Sequence, residues 1–328
     1  MIKVAIICGG RSSEHEISCI SASGVIAAID LSKYQPSLIG ITKSGKWVSL
    51  PTDTKFEIND GRLPEVPESA PEISLNQISA DVVFPILHGP YGEDGTIQGL
   101  FEMLDIPYVG NGVLASAVAM DKHFAKQIFA AHGISVAPGV VLRSGDKVSD
   151  HDLGYPLFVK PARGGSSRGT HKVKRAEDLP AAVADAFKYD TKVMLEKAIA
   201  GREVECAVLE KDGQVQCSVP GEIKIDSKFE FYDFEAKYLD DATTVIAPAD
   251  IKRTNDLKEA AVEAFLALGC SGLARVDFFY TKDDKIIINE LNTMPGFTPK
   301  SVFPKLWGVS GLGYTEIISA LIETALKR

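Results

Sequence analysis

Arg275, Asp277, Glu290 and Asn292 lie in two short segments, 273–280 and 285–292, that each read as a β-strand. Thr281-Lys282-Asp283-Asp284 between them is turn chemistry. If Asp283-Asp284 forms a two-residue hairpin turn, Lys282 faces Lys285, Asp277 faces Glu290 and Arg275 faces Asn292. Side chains alternate along a strand, so this register puts all four polar groups on one face. A three-residue loop would shift the register by one and split the set. Two carboxylates and an amide oxygen are hard ligands suited to Mg2+, with water and phosphate oxygens completing the shell. Two acids directly opposite repel unless a cation lies between them. The competing reading is an ordinary exposed sheet face with alternating polar residues. No His or Cys stands at ligand spacing, which excludes a zinc site here.

Gly164-Gly165-Ser166-Ser167-Arg168-Gly169 follows a strand that ends on Lys160-Pro161. Glycines allow close backbone approach, and free N–H groups with hydroxyls can cover phosphate oxygens. The loop lacks both the GK[ST] ending of a P-loop and dinucleotide spacing, so a plain surface loop reads as well. Lys122 and Lys160 can supply point charges for phosphates. Glu196-Lys197-Ala198-Ile199 runs out of a strand into a connector of the kind that can read adenine, and Glu203 can take ribose hydroxyls.

These groups need a scaffold. The chain opens with a buried strand over 3–8, a Gly9-Gly10 turn and a helix over 16–29, the first unit of a doubly wound α/β arrangement. A strand over 81–87 enters the turn His88 to Gly95, followed by a helix over 96–104 and a short strand near Tyr108. The Pro- and acid-rich stretch 51–71 reads as a surface excursion. The pattern changes near Asn111: helices over 113–119 and 121–131, strands near Val140 and Phe158, a helix over 176–189 and a strand over 192–196. Further strands are expected over 203–209 and 215–219, with helices over 255–268 and 314–327. The chain thus divides into three segments, 1–110, 111–195 and 196–328, without an internal repeat.

At 328 residues the chain is too long for one ordinary core. With 45% hydrophobic and 24% charged residues it reads as globular throughout. A net charge of -9 argues against general binding of nucleic acid. No apolar run approaches a membrane span or a signal segment. The five cysteines form no CxxC pair and read as buried thiols in a reducing, cytoplasmic compartment.

Six blocks in order resemble the ATP-grasp superfamily, and within it the D-alanine–D-alanine ligases. They are Gly9 to Ser18, His88-Gly89 with Gly92 to Gly99, Met120-Asp121-Lys122, Val159 to Ala162 with Gly165-Ser166-Ser167, Tyr232 to Tyr238, and Asn289 to Thr298. The resemblance implies an α/β, three-domain ATP-grasp fold. A doubly wound, Rossmann-like substrate domain would span 1–110, and two α+β domains, 111–195 and 196–328, would sandwich ATP. It implies that ATP phosphorylates one D-alanine, whose acyl phosphate is attacked by the amine of a second to give D-alanyl-D-alanine for peptidoglycan.

By the same resemblance, Asp277, Glu290 and Asn292 hold two Mg2+ (or Mn2+) ions. Lys122, Lys160 and Ser167 contact nucleotide phosphates, and Glu196, Lys197, Ala198, Ile199 and Glu203 contact adenine and ribose. Lys237 reaches the transferred phosphate, and Arg275 with the Gly296 N–H stabilises the oxyanion. Glu14, near His88, pairs with the first ammonium in a set with Ser166 and Tyr238; Ser301 takes the second carboxylate. The stretch 226–241 is implied to be a lid that excludes water. Tyr238 favours the dipeptide over D-alanyl-D-lactate, and apolar Val302 argues against D-serine. Relatives are usually homodimers, and the resemblance implies the same here. Phe234, Asn111 and Arg168 depart from the family pattern, where Tyr, Ser or Thr, and Val are expected. Two rivals are a different ATP-grasp ligase and a nucleotide-binding regulator without turnover; an NAD enzyme lacks its GxGxxG spacing.

Overall fold

Runs of β-branched residues bounded by glycine turns build three sheets. The computed structural model describes residues 1–58, 62–146, 148, 152–165, 167–225 and 243–328. Ser166, Lys237, Tyr238 and the stretch 226–241 expected as a lid lie outside the described residues.

The first sheet contains β1 (Ile2–Gly9), β2 (Tyr34–Ile41), β3 (Trp47–Leu50) and β4 (Val82–Pro85), in the order β3-β2-β1-β4. β1 runs parallel to both neighbours, and Val4 to Cys8 is buried throughout, as a central parallel strand requires. Helix α1 (His15–Ala28) makes the crossover to β2. Gly9 has φ +85°, and a Cβ there would stand 2.3 Å from the Ile41 carbonyl oxygen, so the turn into α1 needs glycine. The strand expected near Tyr108 is a single bridge to Val83. The described residues of the excursion 51–71 are mostly exposed, yet Phe56 and Val66 plug the core beside β1 and β2. Two isolated anchors among prolines and acids carry no periodicity, so the pattern did not reveal them.

The second sheet holds β5 (Gly139–Arg143), β6 (Leu157–Pro161), β7 (His171–Val173) and β8 (Lys192–Lys197), in the order β5-β8-β6-β7. The third holds β9 (Gly201–Lys211), β10 (Gln214–Cys217), β11 (Gly221–Ile225), β12 (Thr243–Ile246), β13 (Leu273–Thr281) and β14 (Ile286–Asn292). Its order is β12-β11-β9-β13-β14, with β10 on β9. Helix α2 (Thr96–Met103) follows the turn after β4, and α5 (Leu179–Ala186) packs on the second sheet.

Helices α3 (Val113–Met120), α4 (Lys122–Ala131) and α6 (Thr254–Ala267) share a core with the third sheet: Ala115, Phe129 and Phe265 pack with Val204, Val208 and Val276. Helices α7 (Val302–Val309) and α8 (Tyr314–Ala325) join the first and third sheets. Their Phe303, Ile317 and Leu321 lie in one cluster with Ile6 and Phe84 on one side and Ala207 and Leu209 on the other. The free cysteines Cys8, Cys19, Cys206 and Cys270 are buried and Cys217 partly so, as expected.

Asn111, one of the departures, has a structural task. Its Nδ2 donates to the carbonyls of Leu273 at 2.7 Å and Thr293 at 2.9 Å, and its Oδ1 accepts the Ser271 N–H at 2.9 Å. A serine or threonine is too short to reach all three. Asn111→Ala is expected to cost about 1–3 kcal/mol, seen as a lower urea midpoint; an unchanged midpoint would contradict this role.

Candidate active site

The hairpin of β13 and β14 brings Arg275, Asp277, Glu290 and Asn292 together by an unexpected route. The Thr281 N–H donates to Lys285 O at 3.0 Å and Asp284 has φ +58°, so the loop has three residues, Lys282 to Asp284. The expected two-residue turn is therefore wrong. Phe278 consequently faces Ile288, one residue off the predicted register. A β-bulge then absorbs Asn289, which restores Asp277 opposite Glu290 and Arg275 opposite Asn292. Asn289 and Glu290 both line the cleft as a result.

Arg275 grips Asp277 with two prongs, Nε to Oδ1 at 2.8 Å and Nη2 to Oδ2 at 2.7 Å. Across β13, Asp277 pairs with Glu205 of β9, whose Oε2 lies 3.0 Å from Arg275 Nε. Asn292 Nδ2 donates to Asp277 Oδ2 at 3.0 Å, and Glu290 Oε2 is 3.4 Å from Lys122 Nζ. Among the described residues no three His, Cys, Asp or Glu side chains cluster as a metal site. The donor set here is two carboxylates and an amide. That chemistry fits a hard divalent ion whose remaining ligands are phosphate and water oxygens.

This face is one wall of a cleft of about 740 Å³ to which all three sheets contribute. From the second sheet, Lys160 Nζ is 2.5 Å from Glu196 Oε2, and Lys126 of α4 ion-pairs with the other oxygen of the same carboxylate. All three side chains are buried. Burial pushes the Lys160 ammonium down to about 8, against the attraction of Glu290 and helped by the charge on Lys122. Lys122 Nζ donates to Gly164 O at 2.7 Å and so tethers the Gly/Ser loop. Ser167, at φ +58°, and Arg168 line the cleft beyond it. Lys197, Ile199 and Glu203 line it too. Ala198 does not line it, and its N–H donates to Pro156 O at 3.2 Å.

From the turns that follow β1 and β4 come Glu14 and His88. Glu14 is buried against two glycines: a Cβ on Gly89 would stand 2.5 Å from its Oε2, and one on Gly165 2.8 Å. Loops from two sheets thus close on one carboxylate. Burial lowers the His88 pKa and keeps the ring neutral. Its Nδ1 lies 3.0 Å from Met294 O and its Nε2 3.1 Å from Ser21 Oγ, so both ring nitrogens are engaged within the protein. Gly296 and Ser301 line the far end, where Ser301 Oγ accepts the Thr298 N–H at 3.0 Å and stands at the start of α7.

Three residues escaped sequence reasoning. Lys126 sits one helical turn from Lys122, and that spacing is a usable signal. Glu205 is one of several alternating polar residues on β9 and gives none. Glu93 was quoted within a motif without a role; its Oε2 accepts the Gly89 N–H at 2.6 Å and its Oε1 the Met294 N–H at 3.2 Å. Burial and the charge on Glu14 push it up to about 8, against the pull of those two donors.

Two family models match the chain: "D-ala D-ala ligase N-terminus" over residues 3–111 and "D-ala D-ala ligase C-terminus" over 128–323. A curated relative from Arthrobacter sp. (strain FB24), named D-alanine--D-alanine ligase, is 49% identical over 360 residues, covering 99% of this chain and 94% of its own. Among solved structures, VanG D-Ala:D-Ser ligase from Enterococcus faecalis gives a TM-score of 0.83 at 37% identity, over 99% of each chain. D-alanine--D-alanine ligase from Bacillus anthracis complexed with ATP gives 0.76 at 29% identity, over 100% of this chain and 98% of that one.

Proposed function

The chain belongs to the D-alanine–D-alanine ligase family and is an ATP-using ligase of the ATP-grasp fold; we propose that it joins two D-alanines through a D-alanyl phosphate. The observation that carries this reading is the convergence, in one cleft, of the Glu14 pocket, the Lys122–Lys160 phosphate wall and the acidic hairpin face.

Phosphoryl transfer depends on positioning and on charge neutralisation. Lys122 and Lys160 hold the nucleotide phosphates, with Ser167 and the loop backbone around them. Glu196, held by Lys126, offers its carboxylate to the adenine amino group, flanked by Lys197 and Ile199, while Glu203 takes the ribose. Bound at Asp277, Glu290 and Asn292, Mg2+ or Mn2+ would neutralise charge on the phosphate oxygens. Glu14 fixes the first ammonium, so that the carboxylate of the same D-alanine faces the γ-phosphate.

In the second step an amine attacks the acyl carbon and an oxyanion develops. Arg275 and the Gly296 N–H stabilise it. Glu205 meets the same Arg275 Nε that Asp277 does, so the guanidinium would keep a partner if Asp277 turned to the metal. Ser301, at the positive end of α7, receives the second carboxylate. The parts given to Ser166, Lys237 and Tyr238 rest on the family match. Tyr238 and Val302, which lines the cleft, favour D-alanine at the second subsite. The same reading makes this a homodimeric cytoplasmic enzyme of peptidoglycan precursor synthesis. None of the described helices is long and apolar enough to cross a membrane.

ADP release is expected to require D-alanine and Mg2+ together, and Glu290→Gln is expected to keep the circular dichroism of the fold while abolishing that release. ADP formation independent of D-alanine, or full turnover by the variant, would sink the reading. Above pH 8 Lys160 loses its proton and its hold on the triphosphate. The KM for ATP should therefore rise, by up to about tenfold per pH unit, and Lys160→Arg, which stays charged, should flatten the rise. A wild-type KM flat to pH 9 would contradict this.

A further inference from the structure

The strap after β14 carries Gly296, and both backbone polar groups of Met294 are held by the turn that follows β4. Met294 N–H donates to Glu93 Oε1 at 3.2 Å, and Met294 O accepts from His88 Nδ1–H at 3.0 Å. One residue earlier, Thr293 O accepts from Asn111 Nδ2 at 2.9 Å. The same Glu93 carboxylate takes the Gly89 N–H on its other oxygen at 2.6 Å. Gly89 is the residue pressed against Glu14. A single acid therefore links the backbone beside the first-substrate carboxylate to the backbone two residues before the oxyanion donor.

We propose that Glu93, with His88, is a positioning residue for acyl transfer: a clamp that fixes the strap 293–296, and with it Gly296, relative to the Glu14 pocket. The inference rests on the ligase reading above. Both carboxylate oxygens of Glu93 act as acceptors of backbone N–H groups, so no other side-chain type of this length can do the same. Glutamine has one acceptor oxygen and would turn an N–H donor toward one of the two N–H groups. The His88–Gly89 turn has independent support, because Ser12 Oγ donates to His88 O at 2.6 Å and the Gly89 carbonyl accepts from Gly92 and Glu93. Loss of the clamp should therefore loosen the strap and leave the Glu14 pocket in place.

Those two consequences fall on different steps. Phosphorylation of the first D-alanine uses Glu14, the lysines and the metal face. Attack by the second amine uses Gly296 and Arg275. A displacement of about 1 Å at a group that stabilises the transition state costs on the order of 10²-fold in rate.

The test compares wild type with Glu93→Gln in two assays, with Glu93→Asp as a second variant that keeps the carboxyl group and shortens the reach. Oxygen-18 scrambling between the β,γ-bridge and β-non-bridge positions of ATP, with D-alanine present, reads the first step. D-alanyl-D-alanine formed per second reads the second. Glu93→Gln is expected to lower dipeptide formation about 10²-fold, to leave scrambling at the wild-type rate, and to raise the share of phosphate released without dipeptide. Glu93→Asp should show the same split in lesser degree, and decides the matter if the Gln variant does not fold. Dipeptide formation at the wild-type rate, or an equal fall in both steps, would overturn the clamp. Wild type that makes no dipeptide would instead overturn the ligase reading.

Discussion

Asp277 and Glu290 face each other across adjacent strands, and two acids so placed repel. Both line the cleft, where partial desolvation strengthens that repulsion. Arg275 meets the first carboxylate with a fork and Lys122 approaches the second. The lysines have the opposite problem: Lys126 and Lys160 share one buried acid, Glu196, and Lys122 stands by Glu290. The proposed magnesium triphosphate would answer both at once, bringing cations to the acids and anions to the lysines. Its binding is therefore the step toward which the charges of the cleft are arranged.

That arrangement needs three sheets held in fixed relation. The first and third share one hydrophobic cluster, in which α7 and α8 bridge Ile6 and Phe84 to Ala207 and Leu209. His88 and Glu93 from the first segment, and Asn111 just beyond it, add hydrogen bonds to the backbone of the strap. The second sheet reaches the others through Gly165 against Glu14 and through Lys126 against Glu196. The lack of a Cβ at Gly89 and Gly165 is what permits the close approach at Glu14.

Residue types and spacing revealed much of this chain before any coordinates. β1, α1 and the two strands of the hairpin follow from apolar alternation and turn residues, and the six motif blocks pointed to the family that the comparisons support. The hairpin shows the limit. Its cross-strand pairs came out as expected although the turn was mistaken, because the bulge at Asn289 cancels the extra loop residue. A bulge leaves no mark on polar–apolar alternation in a strand as polar as Asn289-Glu290-Leu291-Asn292. Phe56 and Val66 were missed for a related reason, since anchors without a period look like loop. Nothing in α3 or α4 says which sheet they cover; only packing shows that they lie on the third. Glu93 and Glu205 act through backbone and guanidinium partners distant in sequence, and such pairs cannot be read from spacing.

The central claim is that both substrates are D-alanine, the first set by Glu14 and the second by a subsite near Ser301 edged by apolar Val302. Mass spectrometry of the products formed from MgATP with D-alanine, D-serine and D-lactate in equal competition tests it most directly. D-alanyl-D-alanine as the dominant product is the predicted result, and D-alanyl-D-serine or D-alanyl-D-lactate in its place would contradict it.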